Sequence, residues 1–324
     1  MPHRNRPRRG TLQFWPRKRA RRIYPRIRYW PESKEAKPLG FAGWKAGMTH
    51  VQAVDTNSKS PTYGKIVTRP VTVLDAPSLF VCGFRAYKKT GSGMKCVGEK
   101  WAPGIPKDLH IEKKTRPAKK IPEIKDYDDI TLLAATQPEK SGMHKTKPEF
   151  FELGLGGDKI SASLQKIGYA ESVLGKEISA KDVFKPGEFV DASAVTKGFG
   201  YTGPVKRFNI RIQTRKDKQM HRHVGSIGST VPRKVDWRVP QAGQHGFHSR
   251  TEFNKRIMMI DDDPKKIIPS GGFVGYGILK SFMLIEGSVP GPRKRLVRLR
   301  KAFRRHDTLP VDMKAISLES KQGK

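Results

Sequence analysis

Few residues of this 324-residue chain have the types and spacing that chemistry requires. The run from Gly198 to Gly203 reads GFGYTG and fits the GxGxxG pattern of dinucleotide-binding loops. Such a loop needs a helix that opens at the third glycine, a returning parallel strand and an acidic residue about 20 positions on. Here Pro204 and a basic tract follow. We therefore interpret the run as a glycine-rich turn that lets its backbone and flanking cations approach phosphates.

Two histidine pairs, His221 with His223 and His245 with His248, have a spacing that metal sites also use. No cysteine or paired carboxylate accompanies them, so we predict no metal site and assign the rings to hydrogen bonding and stacking in a polyanion environment. The chain has only two cysteines, which cannot form a zinc site alone and indicate thiols in a reducing compartment. No Walker A run or nucleophile elbow occurs, and no catalytic residue is predicted.

The charge of the chain is segregated along the sequence. There are 65 Lys and Arg residues against 30 Asp and Glu, a net charge of +35. Between Lys107 and Asp191 the 15 basic and 15 acidic residues cancel, so the excess lies in two flanking regions. Cations placed on phosphates release condensed counterions, which predicts a polyanion partner. A basic membrane-surface protein is the alternative, but it would need an amphipathic basic helix, and Pro and Gly interrupt the basic segments. We expect no secretory leader and no membrane span.

The region before Lys107 begins with an N-terminal arm. Residues 1–31 hold eleven basic residues and no acidic one, with five aromatic residues interleaved. Arginine planes and aromatic rings are the groups that stack on unpaired bases. A disordered solubilising tail or a targeting signal is the alternative, but such tails are usually poor in aromatic residues. The composition favours an ordered RNA-binding arm.

The region after Asp191 contains a passage from Lys197 to Arg256 that holds 14 basic residues, three acidic residues and four histidines. Few apolar runs interrupt it, so it cannot bury itself. A loop of this length inside a compact domain is normally functional or disordered. We predict a basic excursion that leaves a β core and returns to it.

Short apolar and alternating runs predict the elements of that core. The strands are expected at 70–75, 79–87, 130–136, 189–196, 272–274, 282–285 and 296–299. A helix is expected from Asp158, with Ile160, Leu164, Ile167 and Leu174 on one face. In the last strand, apolar residues alternate with Arg298 and Arg300, which predicts one face on the core and the other on phosphate. An edge strand guarded by Lys and Arg is an alternative compatible with this.

Several longer motifs along the chain, taken in order, resemble one known family. They are 8–12 (RRGTL) with 16–20 (PRKRA), 40–50 (GFAGWKAGMTH), 195–198 (VTKG) with 203–207 (GPVKR), 243–251 (GQHGFHSRT) with 254–255 (NK), 271–273 (GGF), and 286–291 (EGSVPG) with 294–295 (KR). Their order and density are similar to large-subunit ribosomal protein three in its archaeal and eukaryotic form.

The resemblance implies a mainly β fold with an α/β insertion: a six-stranded translation-protein-type β-barrel with long basic rRNA-penetrating extensions. It implies a non-enzymatic structural constituent of the cytoplasmic large ribosomal subunit. The protein would bind 23S-type rRNA near its 3′ end, support early subunit assembly and support the architecture around the peptidyl-transferase centre. Its partners would be large-subunit rRNA and neighbouring ribosomal proteins, with no membrane, no small-molecule substrate and no cofactor beyond structural Mg²⁺ held by rRNA.

The same resemblance divides the chain. The predicted parts are an N-terminal arm at 1–38, a barrel core at 39–106, 186–204 and 257–305, an inserted charge-balanced α/β module at 107–185, an internal extension at 205–256 and a C-terminal tail at 306–324.

Residues predicted to bind rRNA are Arg8, Arg9, Arg17, Lys18, Arg19, Arg21, Arg22, Trp44, Lys45, Lys197, Lys206, Arg207, Arg215, Lys216, Arg222, Arg233, Lys234, Trp237, Gln244, His245, His248, Arg250, Lys255, Arg256, Arg293, Lys294 and Arg295. The predicted tip of the extension is Thr230, Val231 and Pro232. Relatives of this branch typically carry a tryptophan at the position that aligns with Thr230.

Two other functions fit the same composition. An enzyme acting on RNA would use the glycine-rich run to bind a nucleotide or methyl donor, and nucleotides would then stabilise it against heat. A non-specific condensing protein would bind duplex DNA and rRNA fragments equally at matched salt, whereas a ribosomal protein would prefer folded rRNA.

Overall fold

The fold is mainly β. A computed structural model describes residues 10–106, 109, 127–157, 162–231, 233–269 and 271–319. Its strands are β1 (Gly40–Val54), β2 (Ile66–Asp75), β3 (Leu79–Thr90), β4 (Gly93–Trp101), β5 (Asp129–Ala135), β6 (Phe150–Gly154), β7 (Glu177–Ile178), β8 (Phe189–Val195), β9 (Gly198–Thr202), β10 (Gly243–Gly246), β11 (Ser249–Asp261), β12 (Phe282–Glu286), β13 (Leu296–Lys301) and β14 (Asp312–Ile316). The α-helices are α1 (Ala162–Val173), α2 (Ala180–Val183) and α3 (Pro204–Phe208), and short 3₁₀ helices occupy Pro138–Lys140 and Pro264–Lys266.

The largest sheet is organised around the 15-residue strand β1. The first half of β1 pairs with β13, its second half pairs with β14, and β2 runs antiparallel along it. The strand order β13-β8-β11-β12-β2-β1, together with the β13–β1 pairing, makes a closed circuit of six strands. Closure leaves those six strands with few unpaired edges. The β14 strand adds to the outside of this circuit.

The main core lies inside these strands. Phe41, Trp44, Leu74, Ile257 and Phe282 are each 0–1% exposed. Glycines in β1 allow close strand approach: a Cβ on Gly43 would lie 2.7 Å from the carbonyl oxygen of Asp75.

A second sheet has the order β4-β3-β5-β6, and β7 pairs with β3. Ile167 and Leu174, on and just after α1, are partly buried against the core, which fits the predicted helical face, whereas Asp158 and Ile160 lie outside the described residues. The side chain of Leu164 is also outside the described set. The module boundary at residue 107 stays a prediction. In the second sheet, β3 pairs with both β4 and β5, and the sheet is separate from the six-strand circuit.

Two predicted features differ from the structure. The segment 272–274 is a turn closed by a bridge from Phe273 to Gly277, because successive glycines there adopt positive φ. The arginines of β13 do not face phosphate: Arg298 is 2% exposed and donates to the carbonyl oxygens of Pro25 and Glu152. Arg300 is 9% exposed and donates to Asp191. Protein acceptors on neighbouring segments therefore engage both guanidinium groups.

A buried carboxyl in β2 makes the stability of the chain depend on pH. Asp75 is fully buried, and the hydroxyl of Tyr276 donates to its Oδ2 at 2.6 Å. Burial raises the pKa of Asp75 to about 6 from its ordinary 3.8. Between these values the folded state holds a proton that the unfolded state has released, so the free energy of unfolding falls as pH rises through this window.

Replacing Asp75→Asn should remove this fall in unfolding free energy with rising pH. We expect the difference in unfolding free energy, variant minus wild type, to grow by roughly 2 kcal/mol between pH 4 and pH 7 in urea titrations. Tyr276→Phe removes a hydrogen bond that lowers the pKa of Asp75 and should move the window upward. If the unfolding free energies of Asp75→Asn and wild type changed with pH by the same amount, the raised pKa would not belong to Asp75.

Contacts divide the chain into two compact units. One comprises residues 1–23 with 195–250, and the other comprises 24–194 with 251–324. Among the described residues, no helix has the length and apolar character to cross a membrane.

Candidate nucleic-acid interface

The first unit is organised by rings from the arm that pack on the start of the extension. The ring of Trp15 stacks on Phe208 with centroids 5.8 Å apart, and Trp237 meets Trp15 edge-on at 5.5 Å. The guanidinium of Arg17 lies 4.3 Å from the centre of the Phe208 ring. Planar groups that the sequence assigned to base stacking therefore contact each other, which orders this part of the arm.

Backbone contacts fix the arm to the second pass of the chain. The amide of Ala20 donates to the carbonyl oxygen of Phe247 at 2.8 Å. His248 is buried, and its Nδ1 lies 2.8 Å from the carbonyl oxygen of Lys18. Burial, with the nearby cation of Arg250, lowers the pKa of His248. Because a carbonyl only accepts, Nδ1 of the neutral ring carries the proton.

Arg207 closes the base of the extension. Its Nη1 donates to the carbonyl oxygen of Gln241 at 2.9 Å and its Nε to that of Gln244 at 3.0 Å. These acceptors lie on the returning chain, so one side chain ties the end of α3 to the start of β10. Arg207 was predicted to bind rRNA; the structure engages its guanidinium with protein carbonyls.

Loss of the hydrogen bonds that Arg207 makes to the returning chain should measurably loosen the base of the extension. Replacing Arg207→Lys keeps the charge but cannot bridge both carbonyls, since a lysine lacks the planar fork. We expect the amides of β10 to exchange with solvent at least tenfold faster, because charged hydrogen bonds of about 2 kcal/mol are lost. The matched control is Lys206→Arg, an exposed neighbour, which should leave the exchange unchanged. If the β10 amides exchanged at the same rate in Arg207→Lys and wild type, a positive charge alone would be enough to close the base of the extension.

The glycine-rich run is a strand and not a turn. Gly198–Thr202 forms β9, which pairs antiparallel with β10, and α3 has only five residues. A dinucleotide loop requires a parallel strand and a longer helix. The antiparallel two-stranded ribbon of β9 and β10 therefore excludes a dinucleotide-binding loop.

Between α3 and β10 the chain is irregular and largely exposed. The predicted cations of the first unit that are exposed to solvent are Lys18, Arg19, Arg21, Arg22, Lys197, Lys206, Arg215, Lys216, Arg222, Arg233 and Lys234, together with the ring of Trp237. Arg17, Gln244, His245 and Arg250 are half-buried, and Thr230 and Val231 are exposed. Arg8, Arg9 and Pro232 lie outside the described residues.

In the second unit the predicted residues divide by burial. Arg293 and Lys294 are exposed, whereas Lys255 and Arg295 are half-buried. Lys45 donates to the carbonyl oxygens of Val289 and Gly291.

Three members of the predicted set need correction because they are buried. Trp44 is 1% exposed in the core, His248 is 7% exposed with its ring on the carbonyl oxygen of Lys18, and Arg256 is 4% exposed and donates to the carbonyl oxygen of Pro310. A side chain buried to this extent supports the fold and offers RNA no surface.

The histidine pairs do not converge with other ligands. Over the described ranges, no group of three or more His, Cys, Asp or Glu side chains is arranged to hold a metal ion. Cys82 is buried and Cys96 is exposed, and the two do not form a disulfide.

Comparison with known proteins decides the family. The profile described as "Ribosomal protein L3" matches residues 1–116 and 107–323. The chain belongs to the ribosomal protein L3 family. This family consists of structural ribosomal proteins and not of enzymes.

Archaeal members of the L3 family match over nearly the full length. "Large ribosomal subunit protein uL3" of Methanopyrus kandleri is 46% identical, with 98% of this chain and 92% of the relative covered. The protein of the same name from Methanococcus aeolicus is 45% identical over 99% of this chain and 98% of the relative. That from Methanothermobacter thermautotrophicus is 45% identical over the full length of both. These matches confirm the archaeal-type resemblance.

Sequence reasoning missed two sets of residues in this L3-family chain. The buried partner of Arg300 is Asp191, which no local pattern marks. Phe199 and Tyr201 are exposed rings on β9. Their spacing of two beside Lys197 was a usable signal, but the glycine pattern drew the interpretation toward a turn.

Proposed function

We propose that this protein is a structural constituent of the large ribosomal subunit in the cytoplasm, and that it binds 23S-type rRNA near its 3′ end. The observation that carries this is the first unit, in which exposed cations cover an irregular extension and few acids balance them. Cations on phosphates supply most of the affinity of such proteins, and their number sets the dependence on salt. The family relatives, named as large-subunit proteins, support the assignment.

We further propose that the closed circuit of six strands is the translation-protein-type barrel, and that it serves as a platform for two basic extensions. The charge-balanced module would lie away from RNA, where neighbouring ribosomal proteins could contact it. Early assembly and support of the peptidyl-transferase centre are the roles that we assign to the extension. Any Mg²⁺ at the interface would be held by rRNA.

Deletion of the extension tests the proposal. Arg207 contacts the carbonyl oxygens of Gln241 and Ala242, so both ends of the segment 210–240 are close enough for a short Gly-Ser linker. The shortened chain should keep its folded core, seen as a single cooperative unfolding transition, and should fail to co-sediment with large subunits. A chain in which only segment 55–65, the loop between β1 and β2, is replaced by the same linker is the control. Normal incorporation of the shortened chain into mature subunits would refute the proposal.

Binding of the full chain to rRNA fragments should also be steeply dependent on salt. On the order of ten phosphate contacts would lower log affinity by about 7 to 9 per log unit of salt. Equal affinity for duplex DNA at matched salt would instead indicate a condensing protein.

A further inference from the structure

The ribbon of β9 and β10 presents aromatic rings to solvent. Tyr201 pairs with Gln244 and Gly200 pairs with His245 across the ribbon. The register shifts between His245 and Gly246, so Phe199 lies at a bulge where side chains do not alternate, and Tyr201 lies two residues further along the same short ribbon. Phe199 is 44% exposed and Tyr201 is 81% exposed.

Other groups surround the ring of Phe199. The ring of His245 lies 4.8 Å from that of Phe199, tilted by 31°. Burial and the neighbouring Lys206 lower the pKa of His245, so the ring is neutral near pH 7. The Nζ of Lys206 lies 5.1 Å and that of Lys197 6.0 Å from the centre of the Phe199 ring. Two rings and two cations therefore occupy one small surface, and the exposed ring of Tyr201 lies on the same ribbon.

Packing within the unit does not explain these rings. The aromatic contacts of this unit centre on Phe208, which is 4% exposed and covered by Trp15. A ring as exposed as Tyr201 adds little to such a core. An apolar protein partner would need a surface free of flanking cations, whereas a nucleic acid strand supplies both π faces and phosphates. A duplex keeps its base faces stacked inside, so only unpaired bases could use the rings.

We propose that Phe199 and His245 form a stacking platform for unpaired bases of RNA, that the exposed ring of Tyr201 on the same ribbon stacks a further base, and that Lys197 and Lys206 bind the adjacent phosphates. This inference rests on the proposed function and specifies which RNA element the protein binds. Stacking on aromatic side chains tolerates any base, so the platform would select single-stranded segments by their flexibility and not by sequence.

Two probes of equal charge separate stacking from electrostatics: a short oligoadenylate and an abasic oligomer with the same number of phosphates. In the full chain, the double variant Phe199→Leu/Tyr201→Leu should bind oligoadenylate at least tenfold more weakly and the abasic oligomer equally well. Its salt slope should not change. Lys206→Met should weaken both probes and reduce the salt slope by about 0.7.

Controls keep the result interpretable. Tyr201→Phe retains a ring and should bind oligoadenylate as wild type does. Tyr63→Leu alters a tyrosine of the second unit that is 61% exposed and should have no effect. Equal weakening of both probes by the double variant, or no weakening at all, would overturn the platform. If wild type binds rRNA fragments in that case, the proposed function stands; if wild type binds no RNA, both fail.

Discussion

Replacing Asp191→Ala should destabilise the chain by about 3 to 5 kcal/mol, because it leaves a buried guanidinium without its carboxylate. Asp191 is fully buried on β8, opposite Arg300 on β13. Its Oδ2 accepts from Nε of Arg300 at 3.1 Å and from Nη2 at 3.0 Å. Its Oδ1 accepts from the amide of Asn254 at 3.1 Å. The carboxylate thus joins β8, β11 and β13, three strands of the closed circuit.

Urea unfolding of the full chain measures this loss. The control is Asp312→Asn, which removes a pair with Lys314 in which both side chains are about half exposed, and it should change stability by less than about 0.5 kcal/mol. The double variant Asp191→Leu/Arg300→Met should recover much of the loss, since it leaves no unpaired charge. A single variant Asp191→Ala as stable as wild type would show that Arg300 finds other acceptors.

The second large effect is expected at Trp44. The ring is 1% exposed, and its strand pairs with β13 on one side and β2 on the other. Truncation to alanine removes a large buried side chain from the core and should cost about 3 to 5 kcal/mol of unfolding free energy. At temperatures where the variant stays folded, its affinity for rRNA fragments should equal that of wild type.

Trp237→Ala is the matched substitution for Trp44→Ala. Trp237 is 60% exposed and meets Trp15 edge-on, so its loss should cost at most about 1.5 kcal/mol of stability. Its loss should weaken RNA binding, because an exposed ring beside exposed cations can stack on bases. If folded Trp44→Ala bound RNA more weakly than wild type and Trp237→Ala bound RNA as wild type does, the assignment of core and interface would be reversed.

Local patterns predicted the strands that are apolar and continuous. The segments 130–136 and 189–196 differ from β5 and β8 by one residue at most at each end. The longest strand, β1, was not among the predicted strands, because its glycines hide the strand pattern. Gly43 is required by the close approach of β2 and Gly40 by that of β13. Closure of the circuit depends on pairing between β1 and β13, which are far apart in sequence. No local pattern contains that information.

Charge was a good guide to segments and a poor guide to single residues. The extension is basic and exposed, as its composition predicted. Arg256 and Arg298, however, donate to backbone carbonyls in the interior, and Arg207 does so at the base of the extension. A sequence does not distinguish an arginine that meets phosphate from one that meets a carbonyl oxygen, because both are guanidinium donors and the acceptor comes from a distant segment.

The bridge made by Arg207 has a consequence for how this protein can diverge. Since both ends of the extension are joined within the protein, the entropy of closing the loop is lost during folding and not on RNA. Doubling the length of a flexible loop adds only about 0.6 kcal/mol to that entropy cost. Insertions or deletions near Thr230 would therefore disturb the rest of the chain little. Evolution could lengthen, shorten or reshape the tip to follow changes in the RNA, as long as the guanidinium at position 207 and its carbonyl partners remain.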